Sequence, residues 1–301
     1  MKVIHPVRDK SLSWIHHPVM LRDVIMLLKP VLGGAYVDAT VGLGGHAEEI
    51  LRHIGNGRLL GIDRDEEALD MAMKRIPDNR LTLKKGKFSD ISKRTAEAGI
   101  SEVDGILFDL GTSTFHLKTS ERGFSFFSEE PLDMRMDREQ EITAAYIVNK
   151  YPEKEITRIL WEYGEEKLSR KIARAVIDYR AEKKIDTCAE LSDIVYRVYR
   201  QRGKHHPATK TFQALRIAVN DELNELRKGL NEAAGILKSG GRLCVISYHS
   251  LEDRIVKNFI RDEHKQGGLR MLTKKPIAPS DEEVRFNPSA RSAKLRGAEK
   301  I

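Results

Sequence analysis

A glycine-rich turn followed by a carboxylate is the feature of this sequence whose spacing points most clearly to chemistry. The turn lies in Tyr36-Val-Asp-Ala-Thr-Val-Gly-Leu-Gly-Gly-His46, and Leu59–Asp63 follows as an apolar run that ends in a carboxylate. Glycines at Gly42, Gly44 and Gly45 would let backbone N–H groups approach a ligand at a helix N-terminus. A carboxylate about 20 residues further on can accept hydrogen bonds from ribose hydroxyls. The order predicts a site for a nucleoside-bearing cofactor.

The turn alone leaves three interpretations open: a dinucleotide site, an S-adenosylmethionine site and a purely structural turn. Asp38 ends the first strand, immediately before the loop that carries the glycines. A carboxylate there would repel a pyrophosphate, whereas it suits a cofactor that carries an ammonium and a sulfonium. Asp38 therefore favours a methyltransferase over a dinucleotide enzyme.

The composition indicates a well-packed protein with a basic surface. The chain has 301 residues, 40% of them hydrophobic and 32% charged, and a net charge of +7. The positive balance favours a polyanionic partner. The N-terminus lacks an apolar signal core, and no run approaches the roughly 20 apolar residues of a membrane span. Cys188 and Cys244 lie in apolar patterns, so we expect reduced packing residues in a cytoplasmic protein with no membrane partner.

Strands and helices alternate from Tyr36 to Gly111, which predicts an α/β fold with a parallel sheet. Ligands bind such sheets at the carboxyl ends of the strands. Four residues fall at predicted strand ends, namely Asp38, Asp63, Phe88 and Asp109. We therefore expect these four side chains to surround one site.

The alternation then gives way to helical patterns, including a capping box at Thr187 and Glu190. This predicts a helical domain over residues 114–205, inserted into a sheet domain formed by residues 1–113 and 206–301. In the returning segment we expect one long helix, Thr209–Leu237, and a strand, Arg242–Tyr248. Two further strands, Leu269–Lys275 and Ser292–Glu299, bring the expected total to about seven.

Two basic segments indicate nucleic acid as the polyanion. The first, residues 196–216, contains no acidic residue, and the second surrounds Asn287 near the C-terminus. Clustered lysines and arginines are typical of phosphate contacts. Their basic residues are Arg197, Arg200, Arg202, Lys204, His205, His206, Lys210 and Arg216 in the first, and Arg285, Arg291, Lys294 and Arg296 in the second. The histidines have no metal-ligand spacing, so we expect no metal.

Several longer stretches resemble the MraW/RsmH family of bacterial S-adenosylmethionine-dependent methyltransferases. The resemblance spans nearly the whole chain. Its pieces are His17-Pro-Val-Met-Leu, Asp38–His46, Phe108-Asp-Leu-Gly, Arg122-Gly-Phe-Ser-Phe, Pro131–Asp137, His206–Asn220, Ser247–Arg254 and Ala290–Arg296.

The resemblance implies a Rossmann-like class I methyltransferase fold with an inserted all-helical domain. It also implies methylation of the exocyclic N4 of a cytidine in the decoding region of 16S rRNA, so the expected partner is this rRNA within the small ribosomal subunit. The implied contacts with S-adenosylmethionine are Gly44, Gly45, His46, Asp63, Phe88, Asp109 and His116. One departure weakens the transfer of His116, because family members often have Val-Ser-Ser-Pro-Gln where this chain has Thr112-Ser-Thr-Phe-His116.

Methylation of a cytosine amine would need an acceptor for the N4 hydrogens, since the amine lone pair is delocalised into the ring. Asp109, or a carbonyl of Leu110–Gly111, is our candidate for this catalytic role. The Arg122–Arg135 loop is the candidate for holding the unstacked base. The alternatives are a nicotinamide-dependent oxidoreductase, a non-enzymatic RNA-binding assembly factor, and the same chemistry on DNA or another RNA.

Overall fold

The computed structural model describes residues 17–111, 122–126, 128–199 and 206–301, with seven strands in one sheet. The strands are β1 (Ala35–Asp38), β2 (Arg58–Asp63), β3 (Leu81–Lys85), β4 (Val103–Asp109), β5 (Leu237–Ser247), β6 (Leu269–Met271) and β7 (Lys294–Lys300). The helices of the described residues are α1 (Leu21–Leu28), α2 (Gly45–His53), α3 (Glu66–Arg75), α4 (Ile91–Glu97), α5 (Ala144–Lys150), α6 (Glu153–Gly164), α7 (Ser169–Glu182), α8 (Cys188–Val198), α9 (Thr209–Asn220), α10 (Glu222–Ile236), α11 (Ser250–Gln266) and α12 (Asp281–Phe286).

The sheet order is β3-β2-β1-β4-β5-β7-β6. The five strands from β3 to β5 run parallel, and β7 lies antiparallel between β5 and β6. The α/β class and the seven strands agree with the expectation from the sequence, and the reversed β7 is the departure from a fully parallel sheet. The chain reverses its winding direction between β1 and β4, which is where open α/β sheets bind ligands.

Two apolar cores hold the sheet, one on each face. Leu60, Ile106 and Leu230 belong to one core, and Ile50 and Leu107 belong to the other. Strand β4 is almost entirely buried because helices cover it on both sides. Among the described residues, no helix has the length and apolarity needed to cross a bilayer.

The helices α5–α9 share a third apolar core, which includes Ile159, Ile172 and Leu191. The predicted capping box is confirmed, because Thr187 accepts from the Glu190 N–H and Glu190 reaches back to the Thr187 N–H. Phe212 and Leu215 of α9 also belong to this core. Helix α9, which precedes the return of the chain to the sheet, is therefore packed in the core of the helical part. The predicted domain boundaries stay a prediction.

The single long helix expected over Thr209–Leu237 is wrong. Asp221 adopts φ 49°, in the left-handed region, and separates α9 from α10. The amphipathic pattern continues through both helices, which is why periodicity alone does not reveal the break. Strand β5 also begins earlier than expected, at Leu237.

Candidate active site

A cavity of about 340 Å³ opens at the carboxyl ends of β1, β2 and β4. Among its lining residues are five predicted site residues: Gly45, His46, Asp63, Phe88 and Asp109. Gly44 directly precedes the helix that presents Gly45 and His46. The predicted contact His116 lies outside the described residues. We call this space the cofactor cavity.

The glycine turn begins α2 and needs its glycines. Gly44 is the N-cap with φ 82°, and a Cβ there would lie 2.5 Å from Cδ1 of Ile76. An L side chain would therefore be strained by the backbone angle and would clash with its neighbour. His46 follows in the first turn of α2, where its Nε2 lies 3.0 Å from the carbonyl oxygen of Val19. Since a carbonyl only accepts, this contact places the proton on Nε2 and turns Nδ1 towards the cavity.

Asp63 ends β2 and is anchored by backbone N–H groups. Its Oδ2 accepts from Gly42 at 2.9 Å, and its Oδ1 accepts from Asp65 at 3.0 Å. A carboxylate has about four lone-pair positions, so it can accept more than two hydrogen bonds. This fixed orientation suits the recognition of ribose hydroxyls.

Phe88 lies beyond the end of β3, which stops at Lys85 and not at Phe88 as predicted. Its ring sits in a short 3₁₀ turn and meets Phe108 edge-on at 5.9 Å. The guanidinium carbon of Arg64 lies 5.7 Å from the ring centroid, a cation–π geometry. The ring therefore forms a fixed apolar wall of the cofactor cavity.

Asp109 ends β4 with both its backbone and its side chain engaged. Its N–H donates to Thr40 Oγ1 at 2.7 Å, and Oδ1 accepts from the Tyr248 hydroxyl at 2.8 Å. Oδ2 lies 3.7 Å from His46 Nδ1. Burial and the neighbouring Asp109 raise the pKa of Tyr248 well above its usual value of 10, so the hydroxyl stays protonated and donates.

Tyr248 was not singled out from the sequence, although it directly follows β5, the neighbour of β4 in the sheet. The pairing of Asp109 with Ile246 brings Tyr248 to the same sheet edge. A Cβ on Gly111 would lie 2.7 Å from the Tyr248 ring. Asp63 and Asp109 are predicted from their positions at the ends of strands, and the same criterion identifies Tyr248.

Asp38 lies behind the cavity wall and is only 1% exposed. Burial, with a smaller contribution from the negative charges of Asp109 and Asp63, raises the pKa of this carboxyl to about 8. Asp38 is therefore protonated at neutral pH in the ligand-free protein, which corrects the sequence-based picture of a fixed negative charge. A positive charge in the cavity would favour its ionisation.

The expectation that Arg216 lies on a phosphate-binding surface is wrong. Its Nε and Nη2 donate to the two carboxylate oxygens of Glu222, each at 2.9 Å. Glu222, His249 and Glu252 offer oxygen and nitrogen atoms within 4.8 Å of one another. Glu252 also accepts from the Tyr248 N–H at 2.8 Å. The carboxylates in this group are thus held by protein donors, and the expected absence of a metal stays a prediction.

The basic segment around Asn287 contains side chains that are paired with a carboxylate and side chains that are exposed. Arg296 is 6% exposed, and its Nε donates to Asp253 at 2.7 Å. Lys294 reaches the same carboxylate at 3.5 Å. Among the described residues of the two segments, the side chains that remain exposed are Arg197, Lys210, Arg285 and Arg291, while Arg200, Arg202, Lys204 and His205 lie outside the described residues. Within the part of the chain that the structure describes, fewer basic side chains are therefore available to a polyanion than the sequence indicates.

A buried ion pair connects the loop after residue 121 to the cofactor cavity. Arg122 Nη2 donates to Asp65 Oδ2 at 2.6 Å and to the carbonyl of Met136 at 3.1 Å, and both charged side chains are at most 3% exposed. Asn220 accepts from the Met136 N–H and donates to the Met134 carbonyl. These bonds hold Met136 in the cavity wall.

The model of the MraW methylase family matches residues 13–301. This chain belongs to that family. A ribosomal RNA small subunit methyltransferase H from Persephonella marina is 50% identical over 291 residues, which covers 95% of this chain and 99% of that protein. Proteins of the same name from a Sulfurihydrogenibium species and from Carboxydothermus hydrogenoformans are 50% and 46% identical, covering 95% and 96% of this chain and 99% of each protein.

The cofactor of this MraW methylase family member is S-adenosylmethionine, and the cavity has suitable chemistry for it. Asp63 and Asp109 present carboxylates at two strand ends of the cavity, and Asp38 behind the wall can ionise when a cation binds, which suits a ligand with two positive charges and a ribose. A nicotinamide dinucleotide would instead place a pyrophosphate near these carboxylates, and that alternative does not agree with the family. Burial raises the pKa of Cys188 to about 12, and Cys244 is also fully buried, so neither described thiol suits a nucleophile.

Proposed function

We propose that this protein transfers the methyl group of S-adenosylmethionine to the exocyclic N4 of a cytidine in the decoding region of 16S rRNA. The observation that carries the proposal is the Tyr248–Asp109 pair, a hydrogen-bonded carboxylate on the wall of the cofactor cavity. The names of the relatives, ribosomal RNA small subunit methyltransferase H, support rRNA of the small subunit as substrate. We place the reaction in the cytoplasm, on the assembled subunit.

The bound cofactor would supply an electrophilic methyl group on a sulfonium, and the protein would supply position and hydrogen-bond acceptors. Gly44, Gly45 and His46 would contact the cofactor from the turn, and Asp63 would accept from its ribose hydroxyls. Phe88 and Asp109 complete the proposed contacts, together with His116, which lies outside the described residues.

Asp109 is the proposed catalytic residue. Its carboxylate would accept a hydrogen bond from the N4 amine and so favour the pyramidal nitrogen that attacks the methyl group. Tyr248 is a positioning residue in this scheme, since its hydroxyl holds Oδ1 at 2.8 Å. The helical segment 114–205 would be the inserted domain that binds the substrate, and the exposed arginines and lysines would contact phosphates.

The test is transfer of labelled methyl from S-adenosylmethionine to small subunits that lack the modification, with free 16S rRNA and DNA in parallel. We expect label in the subunit sample and its loss with Asp109→Asn. Label in DNA alone would overturn the choice of substrate. Cofactor binding without transfer to any of the three would favour the non-enzymatic assembly factor.

A further inference from the structure

A second cavity of about 240 Å³ adjoins the cofactor cavity, and Arg216 and Tyr248 line both. Aromatic rings form much of its wall: Phe124, Phe126, Phe212 and Tyr248. We call this space the aromatic pocket. Its residues come from the loop after residue 121, from α9 and from the end of β5, so it lies where the helical and sheet parts meet.

The rings of the aromatic pocket are held in place before any ligand arrives. Phe126 meets Phe212 edge-on, with ring centroids 5.8 Å apart, and stacks on His206 at 4.5 Å and 10°. Phe212 is 5% exposed and belongs to the helical core. A preformed aromatic surface costs less entropy on binding than one that must be ordered.

The neighbouring polar groups indicate what the pocket receives. The Tyr248 ring lines the pocket, while its hydroxyl bonds to Asp109 on the wall of the cofactor cavity. A flat ring inserted beside Tyr248 would therefore bring its edge towards the Asp109 carboxylate. Arg216, the other residue that lines both spaces, is already paired with Glu222. The shared wall thus offers an acceptor to an amine and no separate site for a phosphate.

We propose that the aromatic pocket holds the unstacked pyrimidine ring of the target nucleotide, with its exocyclic amine directed at Asp109. This inference rests on the proposed function, because a base inside RNA must leave its stack to reach a methyl donor. Aromatic side chains replace the stacking that the base gives up, and each stacked base contributes enough to change affinity about tenfold.

The experiment measures binding rather than turnover. The full chain, saturated with S-adenosylhomocysteine, is titrated with an RNA that the wild-type protein methylates, either free or assembled into the subunit. A second RNA is abasic at the methylated position. Phe126→Leu should weaken binding of the cytosine-containing RNA about tenfold and leave the affinity for the abasic RNA unchanged. The ratio of variant to wild-type affinity on one RNA cancels the cost of unstacking, and comparing that ratio between the two RNAs cancels the contacts to the backbone.

The controls separate stacking from structural damage. Phe126→Tyr keeps a ring and should restore the wild-type affinity. Trp161→Leu removes a ring that is 59% exposed and lines neither cavity, and it should affect neither RNA. If Phe126→Leu lowers the melting temperature, Gln213→Trp replaces it, since filling the pocket should give the same selective loss.

Equal weakening of both RNAs by Phe126→Leu and by Gln213→Trp, or no weakening of either, would overturn the pocket assignment. That outcome differs from a failure of the proposed function. The wild-type protein could methylate cytidine in the subunit while neither Phe126→Leu nor Gln213→Trp selectively weakens binding of the cytosine-containing RNA. In that case only the assignment of the aromatic pocket is wrong. If it methylates no RNA, the proposed function itself is wrong.

Discussion

The cofactor cavity and the aromatic pocket share a wall but are built in different ways. The cofactor cavity takes Asp63 and Asp109 from the ends of parallel strands, together with the glycine turn that precedes α2. The aromatic pocket takes Phe124, Phe212 and Tyr248 from three segments that are far apart in the chain. Strand ends and the glycine turn form most of the first space, to which Met136 and Arg216 add a smaller part of the wall, whereas the second exists only after the helical core has packed onto the sheet.

The largest expected effect comes from removing the buried Arg122–Asp65 ion pair, which connects the loop after residue 121 to the cofactor cavity. Arg122→Met removes the buried guanidinium that donates to Asp65 Oδ2, so the free energy of unfolding should fall by about 3–5 kcal/mol. Urea denaturation measures this loss.

Arg158→Met is the matched control, because Arg158 forms exposed pairs with Glu155 and Glu162 at 2.9 and 2.8 Å. Its removal should change stability by less than about 1 kcal/mol. Equal losses for the two variants would contradict a buried connection between the two regions.

The second prediction contrasts two carboxylates of the cofactor cavity. Asp109→Ala should lower kcat for methyl transfer by about 100- to 1000-fold, an effect larger than the rise in the Kd for S-adenosylmethionine that loss of its cofactor contact causes. Asp63→Ala should instead raise that Kd, because its carboxylate is the proposed acceptor for the ribose hydroxyls. Calorimetric binding and single-turnover transfer separate the two effects. Unchanged turnover in Asp109→Ala would exclude its catalytic role.

The contrast between the two spaces also explains what could be predicted from the sequence. Asp63, Asp109 and the glycine turn lie at positions that the alternation of strands and helices defines locally. The pairing of Phe126 with Phe212 depends on contacts across 86 residues of chain, which no local pattern encodes. The break at Asp221 was missed for a related reason, since one residue in the left-handed region leaves the apolar periodicity intact.

Charge was the least predictable property of the site. The basic sequence predicts that Arg216 and Arg296 are exposed cations. In the structure Arg216 is paired with Glu222, and Arg296 is paired with Asp253. The sequence also predicts a negative charge on Asp38, whereas burial raises the pKa of its carboxyl to about 8. Burial decides protonation and partner choice, and it depends on the tertiary structure.

The third prediction uses the pKa of Asp38. A cationic cofactor favours the ionised form of the Asp38 carboxyl. As pH is lowered below about 8, the affinity for S-adenosylmethionine should therefore fall by up to about tenfold for each pH unit. S-adenosylhomocysteine lacks the sulfonium charge and should show a weaker dependence. Asp38→Asn should remove the difference between the two ligands. A pH-independent ratio of the two affinities in the wild-type protein would contradict this coupling.

The same raised pKa affects stability with a definite sign. The folded protein keeps the Asp38 proton up to about pH 8, whereas the unfolded chain releases it near the ordinary aspartate pKa of 3.8. The contribution of Asp38 to stability is therefore present at low pH and is lost as pH rises towards 8. Asp38→Asn should raise the melting temperature relative to wild type more at pH 8 than at pH 5. Equal shifts at the two values would argue against a buried protonated carboxyl.

The smallest expected effect is at the shared wall. Tyr248→Phe keeps the ring that lines both spaces but removes the hydroxyl that donates to Asp109. A single hydrogen bond of this kind is worth about 1 kcal/mol, so kcat should fall about five- to tenfold while KM for the RNA stays nearly constant. A change confined to KM would show that Tyr248 acts only on the base and does not position Asp109.

Nucleoside mass spectrometry of the methylated small subunit tests the central claim most directly, because it identifies the atom that receives the methyl group. An acceptor carboxylate beside an aromatic pocket, with both described cysteines buried, favours methylation of an exocyclic amine, and the proposed function names N4 of a cytidine in the decoding region as that amine. Its appearance with the wild-type protein and its loss with Asp109→Asn would support the account. Methylation of a ring carbon or of a ribose hydroxyl would contradict it.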